Sequence, residues 1–278
     1  MGGSVAAALR KRGLASCIVG YDRDAATGER ARVLGLIDVL ADSPGAAARG
    51  ADLVMLAVPV GAMPGLMQDI AGTLGSTSIV TDLGSTKADV VAAAALLLGG
   101  GFDRFVPAHP IAGRERFGPE HADADLFLGR VVVTTPSPQT SADAIEQVEA
   151  LWRACGARVE RMEVSQHDRV LASVSHLPHL LAFALVAQIA GQPDAQLKLS
   201  LAGGGFRDFT RIAASSAVMW RDVALANREA LGVELKAYRN LLGELERALE
   251  SGDADWIEGL FERAGRARRS VPEDAHGA

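Results

Sequence analysis

The run Ala51-Asp52-Leu53-Val54-Met55-Leu56-Ala57-Val58-Pro59 is apolar on consecutive residues, without the alternation of a strand that keeps one face wet. Such a strand is covered on both faces, which implies a parallel sheet between helices. Proline ends it, having no N–H to give to a ladder. The flanking sequence repeats the rule. Residues 1–13 read as a glycine turn opening a helix, and Ser16-Cys17-Ile18-Val19-Gly20-Tyr21-Asp22 as a buried strand ending in an acid. Residues 61–74 read as a helix and Ser78-Ile79-Val80-Thr81-Asp82 as the next strand. A helix to Leu98, a strand end near His109, strands at 131–135 and 157–160, and a helix over 141–155 complete the series. This alternation predicts an α/β domain over residues 1–163. From Val164 the β-like runs stop. Helical patterning over 166–189, 194–201, 220–249 and 254–266 predicts an all-α domain over 164–278.

The chain has 278 residues, 49% of them hydrophobic and 22% charged, enough for a substantial core. A net charge of -6 argues against a nucleic-acid partner, which leaves a basic stripe. Cys17 and Cys155 lack metal-ligand spacing and read as buried thiols of a reducing compartment. No apolar run reaches the roughly eighteen residues a membrane helix needs, and no basic segment precedes an apolar one at the start as in a signal peptide. The expectation is a cytoplasmic protein with no membrane partner.

The opening resembles part of a dinucleotide-binding βαβ unit, in which a strand and Gly-x-Gly-x-x-Gly precede a helix and an acid ends the second strand. Here the helix, the second strand and Asp22 are present, while the first strand and the first two glycines are not, so Gly2 stands as the third glycine. The chain is therefore expected to begin inside its own motif. A carboxylate at Asp22 accepts from a ribose 2′-hydroxyl and repels a 2′-phosphate, which favours NAD over NADP. Arg23 either weakens that preference or stacks on adenine. Gly2, Gly3, Asp22, Arg23 and Val58, the last at the end of the 51–59 strand, are the cofactor-binding candidates.

Ligands sit at the carboxyl ends of parallel strands. Leu83-Gly84-Ser85-Thr86-Lys87 occupies one such end. Ser85 is placed to hydrogen-bond a hydroxyl or a nicotinamide and Lys87 to attract an anion; alternatively Ser85 or Thr86 only caps the following helix. Phe105-Val106-Pro107-Ala108-His109-Pro110-Ile111-Ala112-Gly113 forms another end, where His109 titrates near neutrality and can accept a hydroxyl proton. Arg114 and Glu115 follow in a polar loop able to cover the site. On the long apolar helix, Ser175, His176 and His179 share a face. No carboxylate or cysteine completes a metal-ligand set there. Gly203-Gly204-Gly205 predicts a loop of tight turn or close approach, followed by Arg207 and Arg211 on one helix face, and together these suggest a pocket for a small anion with several carboxylates.

Taken in order, Gly2-Gly3-Ser4, Asp82-Leu83-Gly84-Ser85-Thr86-Lys87, His109-Pro110-Ile111-Ala112-Gly113, Ser175-His176-Leu177-Pro178-His179 and Gly203-Gly204-Gly205-Phe206-Arg207-Asp208-Phe209-Thr210-Arg211-Ile212-Ala213 resemble the prephenate/arogenate (cyclohexadienyl) dehydrogenases of tyrosine biosynthesis. The resemblance covers nearly the whole chain, and its last two motifs are the specific ones. It implies a Rossmann-type domain, here without its first strand, followed by a helical domain that forms a homodimer. It also implies NAD-dependent oxidative decarboxylation of prephenate to 4-hydroxyphenylpyruvate, or of arogenate to tyrosine. By the same resemblance His109 takes the ring-hydroxyl proton and Ser85 bonds the same hydroxyl region. Arg211 pairs with a substrate carboxylate; His179, Ser175 and Gly204 line the side-chain end, Glu115 belongs to a loop that touches substrate choice, and Trp220 packs at the site. Two other readings stand beside it. One is a two-domain NAD(P) dehydrogenase of the β-hydroxyacid type, which would not need His-Leu-Pro-His. The other is a non-catalytic dimeric remnant, suggested only by the missing strand.

Overall fold

The computed structural model describes residues 1–113 and 118–271; Arg114 and Glu115 lie outside them. The chain divides into two compact units, Met1–Arg228 and Glu229–Ala278.

In the first unit, α1 (Gly2–Lys11) leads to β1 (Val19–Gly20), α2 (Ala25–Val33), β2 (Val39–Leu40) and α3 (Pro44–Ala48). Next come β3 (Leu53–Leu56), a 3₁₀ turn (Val60–Ala62), α4 (Met63–Ala71), β4 (Ile79–Asp82), α5 (Ala88–Leu97) and β5 (Phe105–Val106). Strands β3, β4 and β5 form one parallel sheet, with Leu53 opposite Ile79 and Val80 opposite Phe105. Strands β1 and β2 form a separate parallel pair. Among the described residues no strand joins β1 to β3, in keeping with a Rossmann-type sheet without its first strand.

The continuous apolar runs are explained by what covers them. Alternate residues of a strand point to opposite faces. Ile79 and Val106 pack with Val5 and Ala8 of α1 and with Val148 and Trp152, whereas Val80 and Phe105 pack with Met63 and Met67 of α4 and Val90 and Ala94 of α5. Each large side chain buried this way contributes about 1.5–3 kcal/mol.

Pro107 ends β5. The chain then bends into β6 (Ala108–Pro110), which leaves that sheet and pairs antiparallel with β7 (Val131–Thr134), placing His109 opposite Val133. Helix α6 (Ala142–Ala154) carries the chain to β8 (Arg158–Arg161), parallel to β7. Cys155 is buried as expected, but Cys17 is exposed because it lies before β1, in the connection from α1.

Helix α7 (Val164–Leu171), a π-helical turn (Ala172–His176) and α8 (Leu177–Ala190) form one unbroken helix. By length and composition it could cross a membrane, with a mean hydropathy of 1.8 over eighteen residues. That differs from the sequence expectation, since its aliphatic residues outweigh the interspersed histidines. Only 28% of that stretch is buried, and its first half is tied to neighbouring elements through the buried His167, Asp168 and His176. Helices α9 (Ala195–Ser200), α10 (Gly204–Thr210) and α11 (Ala217–Ala226) follow. The expected glycine loop is instead the start of α10: Gly203 is its N-cap, and none of the three glycines has a positive φ or a neighbour within 4 Å of a built Cβ. Glycine is tolerated there because first-turn amides have no partner within the helix.

The helix expected over 220–249 is broken at Asn227, between α11 and α12 (Arg228–Ser251). Helix α13 (Ala254–Arg269) begins with Asp253, whose side chain accepts from the Trp256 N–H at 3.0 Å. Both α12 and α13 expose large apolar residues, among them Val233, Leu242, Leu249 and Phe261.

Candidate active site

The turn after β4 is fixed by a buried carboxylate. Asp82 accepts from the Gly84 N–H at 2.8 Å and from the Ala108 N–H at 3.2 Å, and is ion-paired with the Lys87 ammonium. Lys87 also donates to the Ala108 carbonyl at 2.9 Å. Both backbone groups of Ala108 are thereby clamped, and His109 is the next residue. Gly84 is required here: a Cβ would stand 2.8 Å from the Asp82 Oδ2 and 2.9 Å from Val60. The expectation that Lys87 attracts an external anion is corrected, because both Lys87 and Asp82 are wholly buried and satisfy one another.

Nor does Ser85 or Thr86 cap α5 through its side chain. The cap is supplied from α7, where Asp168 accepts from the Lys87 and Ala88 N–H groups, each at 2.9 Å. The same carboxylate meets His167 Nδ1 at 2.7 Å, and His167 Nε2 meets His109 Nδ1 at 2.9 Å. Burial works to raise the Asp168 carboxyl, but hydrogen bonds from His167 and the two amides outweigh it and hold it below its usual range. Burial, reinforced by His167, Lys87 and His176, holds the His109 imidazole well below the usual histidine range.

A second cluster adjoins the first. Asn227 donates one side-chain N–H to the Asp168 carbonyl at 2.7 Å and the other to His176 Nδ1 at 3.0 Å. His176, in the π-helical turn, lies near the Ser85 backbone, and its Nε2 has no hydrogen-bond partner among the described residues. Burial lowers the His176 pKa to about 4. Trp220 packs edge-on to His176 and lies flat on His179 with ring centroids 3.5 Å apart. His179 donates through Nδ1 to the Ser175 carbonyl at 2.9 Å. Buried Thr86 Oγ1, His176 Nε2 and Trp220 Nε1 have no partner among the described residues. Buried polar atoms are ordinarily satisfied, and of these unpaired atoms His176 Nε2 and Trp220 Nε1 belong to rings in edge contact with one another. Gly204 and Arg211 are exposed, on α10 and the 3₁₀ turn (Arg211–Ala214) that follows it, and both segments pack against α8. Glu115 lies outside the described residues.

Residues fit a dinucleotide at the other candidates too. A Cβ on Gly2 would lie 2.9 Å from that of Ala57. Close packing of helix on strand is the role of the third fingerprint glycine. Helix α1 has no acid in its first turn, leaving its N-terminus suited to a phosphate. Gly3 lies in that turn. Asp22 and Arg23 are exposed just beyond β1, and Val58 is half-buried just beyond β3.

His167, Asp168 and Asn227 escaped the sequence reading. The signal for the first two was a His-Asp pair in the opening turn of an otherwise oily helix.

The neutral histidines give a stability prediction. In the unfolded chain a histidine protonates near pH 6.5, whereas His109, His176 and His179 are held lower in the fold by burial. Below pH 6.5 the unfolded state therefore binds more protons, and stability falls as pH falls. His176, with its pKa at about 4, accounts for roughly 2–3 kcal/mol of this by pH 4. Asp168 acts only below the ordinary aspartate range, outside this window. Thermal melts should show Tm declining steadily between pH 7 and pH 4.5; a flat profile would contradict the buried neutral assignment.

Known proteins resemble this chain in sequence and in fold. The family model described as prephenate dehydrogenase, nucleotide-binding domain matches residues 5–161, and that of the prephenate dehydrogenase dimerization domain matches residues 163–263. The cyclohexadienyl dehydrogenase of Zymomonas mobilis is 36% identical over 256 residues, spanning 91% of this chain and 87% of that protein. Prephenate dehydrogenase from A. aeolicus, solved with hydroxyphenyl propionate and NAD+, superimposes with a TM-score of 0.88 at 35% identity, covering 97% of this chain and 94% of that one. Synechocystis arogenate dehydrogenase superimposes with a TM-score of 0.80 at 26% identity, covering 97% and 96% of the two chains. With both family models in register and similarity sustained along its length, the chain belongs to the prephenate dehydrogenase family.

Proposed function

We propose that this chain oxidatively decarboxylates prephenate to 4-hydroxyphenylpyruvate, and that His109 is the base that takes the ring-hydroxyl proton. The observation that carries the assignment is the hydrogen-bonded line from Asp168 through His167 to His109 Nδ1. Because that line occupies Nδ1, only His109 Nε2 is left for a substrate.

NAD, when bound, supplies the hydride acceptor. Asp22 receives its ribose hydroxyls and the start of α1, with Gly2 and Gly3, its phosphates; Arg23, Val58 and Ser85 complete the contacts. As the ring carbon loses hydride, its hydroxyl proton passes to His109 Nε2 and a carbonyl forms. The bond from the opposite ring carbon to its carboxylate then breaks and CO2 departs. The released electron pair closes the aromatic ring and leaves a phenolate oxygen, which takes the proton back from His109. Ser85 holds the same oxygen. Arg211 holds a substrate carboxylate through charge-assisted hydrogen bonds, and His179, Ser175, Gly204 and Glu115 border the side-chain end, with Trp220 buttressing His179. Orientation and charge placement are the main contributions of these groups.

The functional division lies near residue 163, where the two family models meet, while by packing the first compact unit runs on to Arg228; the helical part forms a homodimer. Exposed Val233, Leu242, Leu249 and Phe261 supply apolar surface for it. The setting is that of a cytoplasmic biosynthetic enzyme. Arogenate is the second substrate to test, given the likeness to an arogenate dehydrogenase.

The test is NADH formation with prephenate, and in parallel with arogenate, on protein whose mass in solution is measured by light scattering. Turnover of prephenate is expected at twice the 29.0 kDa chain mass. Arg211→Ala is expected to lower kcat/KM by about 30-fold or more, as for loss of a charge-assisted hydrogen bond of about 2–3 kcal/mol. A folded, NAD-binding protein that ignores both substrates would overturn the reading.

A further inference from the structure

Resting on that reading of His109, we propose that His167 and Asp168 form a proton relay, in which the proton taken from substrate is carried as positive charge on His167 while CO2 leaves.

Hydrogen-bond roles along the line are fixed by its far end. Asp168 is an acceptor, already receiving the Lys87 and Ala88 N–H groups, so His167 presents Nδ1–H to it at 2.7 Å. His167 Nε2 is then bare and accepts Nδ1–H of His109 at 2.9 Å. His109 Nε2 is bare in turn and is the nitrogen left to take the substrate proton. One proton added at His109 Nε2 can therefore be matched by one proton leaving His109 Nδ1 for His167 Nε2. After the transfer His109 is again neutral, with its proton on Nε2, and His167 is an imidazolium in contact with a carboxylate. When the phenolate forms, both protons move back, so protons balance over the cycle.

The surroundings say why the charge belongs one residue further in. His109 is 8% exposed and follows Ala108, whose carbonyl holds the Lys87 ammonium, so a cation on His109 faces another cation. His167 is fully buried as well, but its direct partner is the Asp168 carboxylate. At short range in a weakly screened interior, that exchange of neighbours is worth several times what it would be in water. The charged and titratable groups facing this line are Asp82 and Lys87 from the β4–α5 turn and His176 from the π-helical turn. Asp82 is neutralised by Lys87, and His176 accepts from Asn227 at Nδ1, so neither offers a competing site for the proton.

The experiment is single-turnover NADH formation with prephenate in mixtures of H2O and D2O, comparing the unaltered chain with His167→Gln, His167→Ala and His109→Ala. Glutamine can still accept from His109 Nδ1 but cannot take its proton. The unaltered chain is expected to show a curved dependence on deuterium fraction, as two protons move together. His167→Gln should lose about 10²-fold in rate, keep its KM and show a linear dependence; His167→Ala should lose more, having neither acceptor nor relay. A linear dependence in the unaltered chain overturns the relay whether or not the variants fold. So does a His167→Gln protein with full rate. If His109→Ala itself retains full rate, the failure lies with the base assignment rather than with the relay.

Discussion

His109→Ala is expected to lower kcat with prephenate by about 10²–10⁴-fold, the range that a positioned general base contributes. KM should change little, because the imidazole acts on a proton in flight and the substrate carboxylates are held elsewhere. The loss is expected to be large because His167 anchors His109 Nδ1, leaving Nε2 as its proton-accepting nitrogen. Burial, then His167, Lys87 and His176, keep the imidazole neutral well below the usual histidine range. A base must be unprotonated to act, so the acid limb of kcat/KM is expected below pH 6.5, with a plateau from there to pH 8. Steady-state kinetics over that range decide the matter. An alanine variant within threefold of the parent would remove His109 from the chemistry.

Lys87→Met should be the most damaging single change to stability. It leaves Asp82 fully buried with two backbone N–H donors but no countercharge. Breaking a buried pair from one side costs about 3–5 kcal/mol. For a unit of this size that corresponds to a fall in Tm of roughly 6–20 °C. Burial already pushes the Lys87 ammonium down in pKa, against the pull of Asp82 and Asp168, so the pair is an arrangement the fold maintains at a cost. Adding Asp82→Leu should recover only part of the loss, because it strands the Gly84 and Ala108 amides that the carboxylate holds. Calorimetry of the single and double variants tests both statements. A neutral Lys87→Met would mean that the lysine is not needed as countercharge.

Much of this site was legible in the sequence because its carriers are local. His109 stands between prolines at a strand end, and Ser175 and His179 stand one helical turn apart, patterns that short-range geometry interprets. Strand β4 was visible because burial on both faces leaves no polar alternation, whereas the buried strand expected over 16–22 is only the two-residue β1 with Val19 exposed, and its partner β2 was not foreseen. What escaped notice depends on distant residues. Asp168 caps a helix that starts eighty residues earlier in sequence, which no local capping rule reaches. Asn227 breaks an otherwise continuous helical pattern because its side chain is engaged by Asp168 and His176, a tertiary preference overriding a local one. The three glycines misled for the opposite reason. Their composition suggested a loop, yet helical backbone is allowed to glycine at a first turn, where it costs least.

The borrowed cap on α5 also bears on how the protein comes into being. Synthesis proceeds from the N-terminus, and every strand of the sheets is complete by Arg161. Even so, the Lys87 and Ala88 amides find their acceptor only when α7 has been made and has docked. A nascent chain stopped at residue 163 would hold a nucleotide fold in which Asp82 can already fix the turn after β4, but the first amides of α5 lack their cap and His109 lacks its partner. The order of assembly thus ties completion of the reactive histidine to arrival of the helical part, and a half-made chain cannot display a finished base.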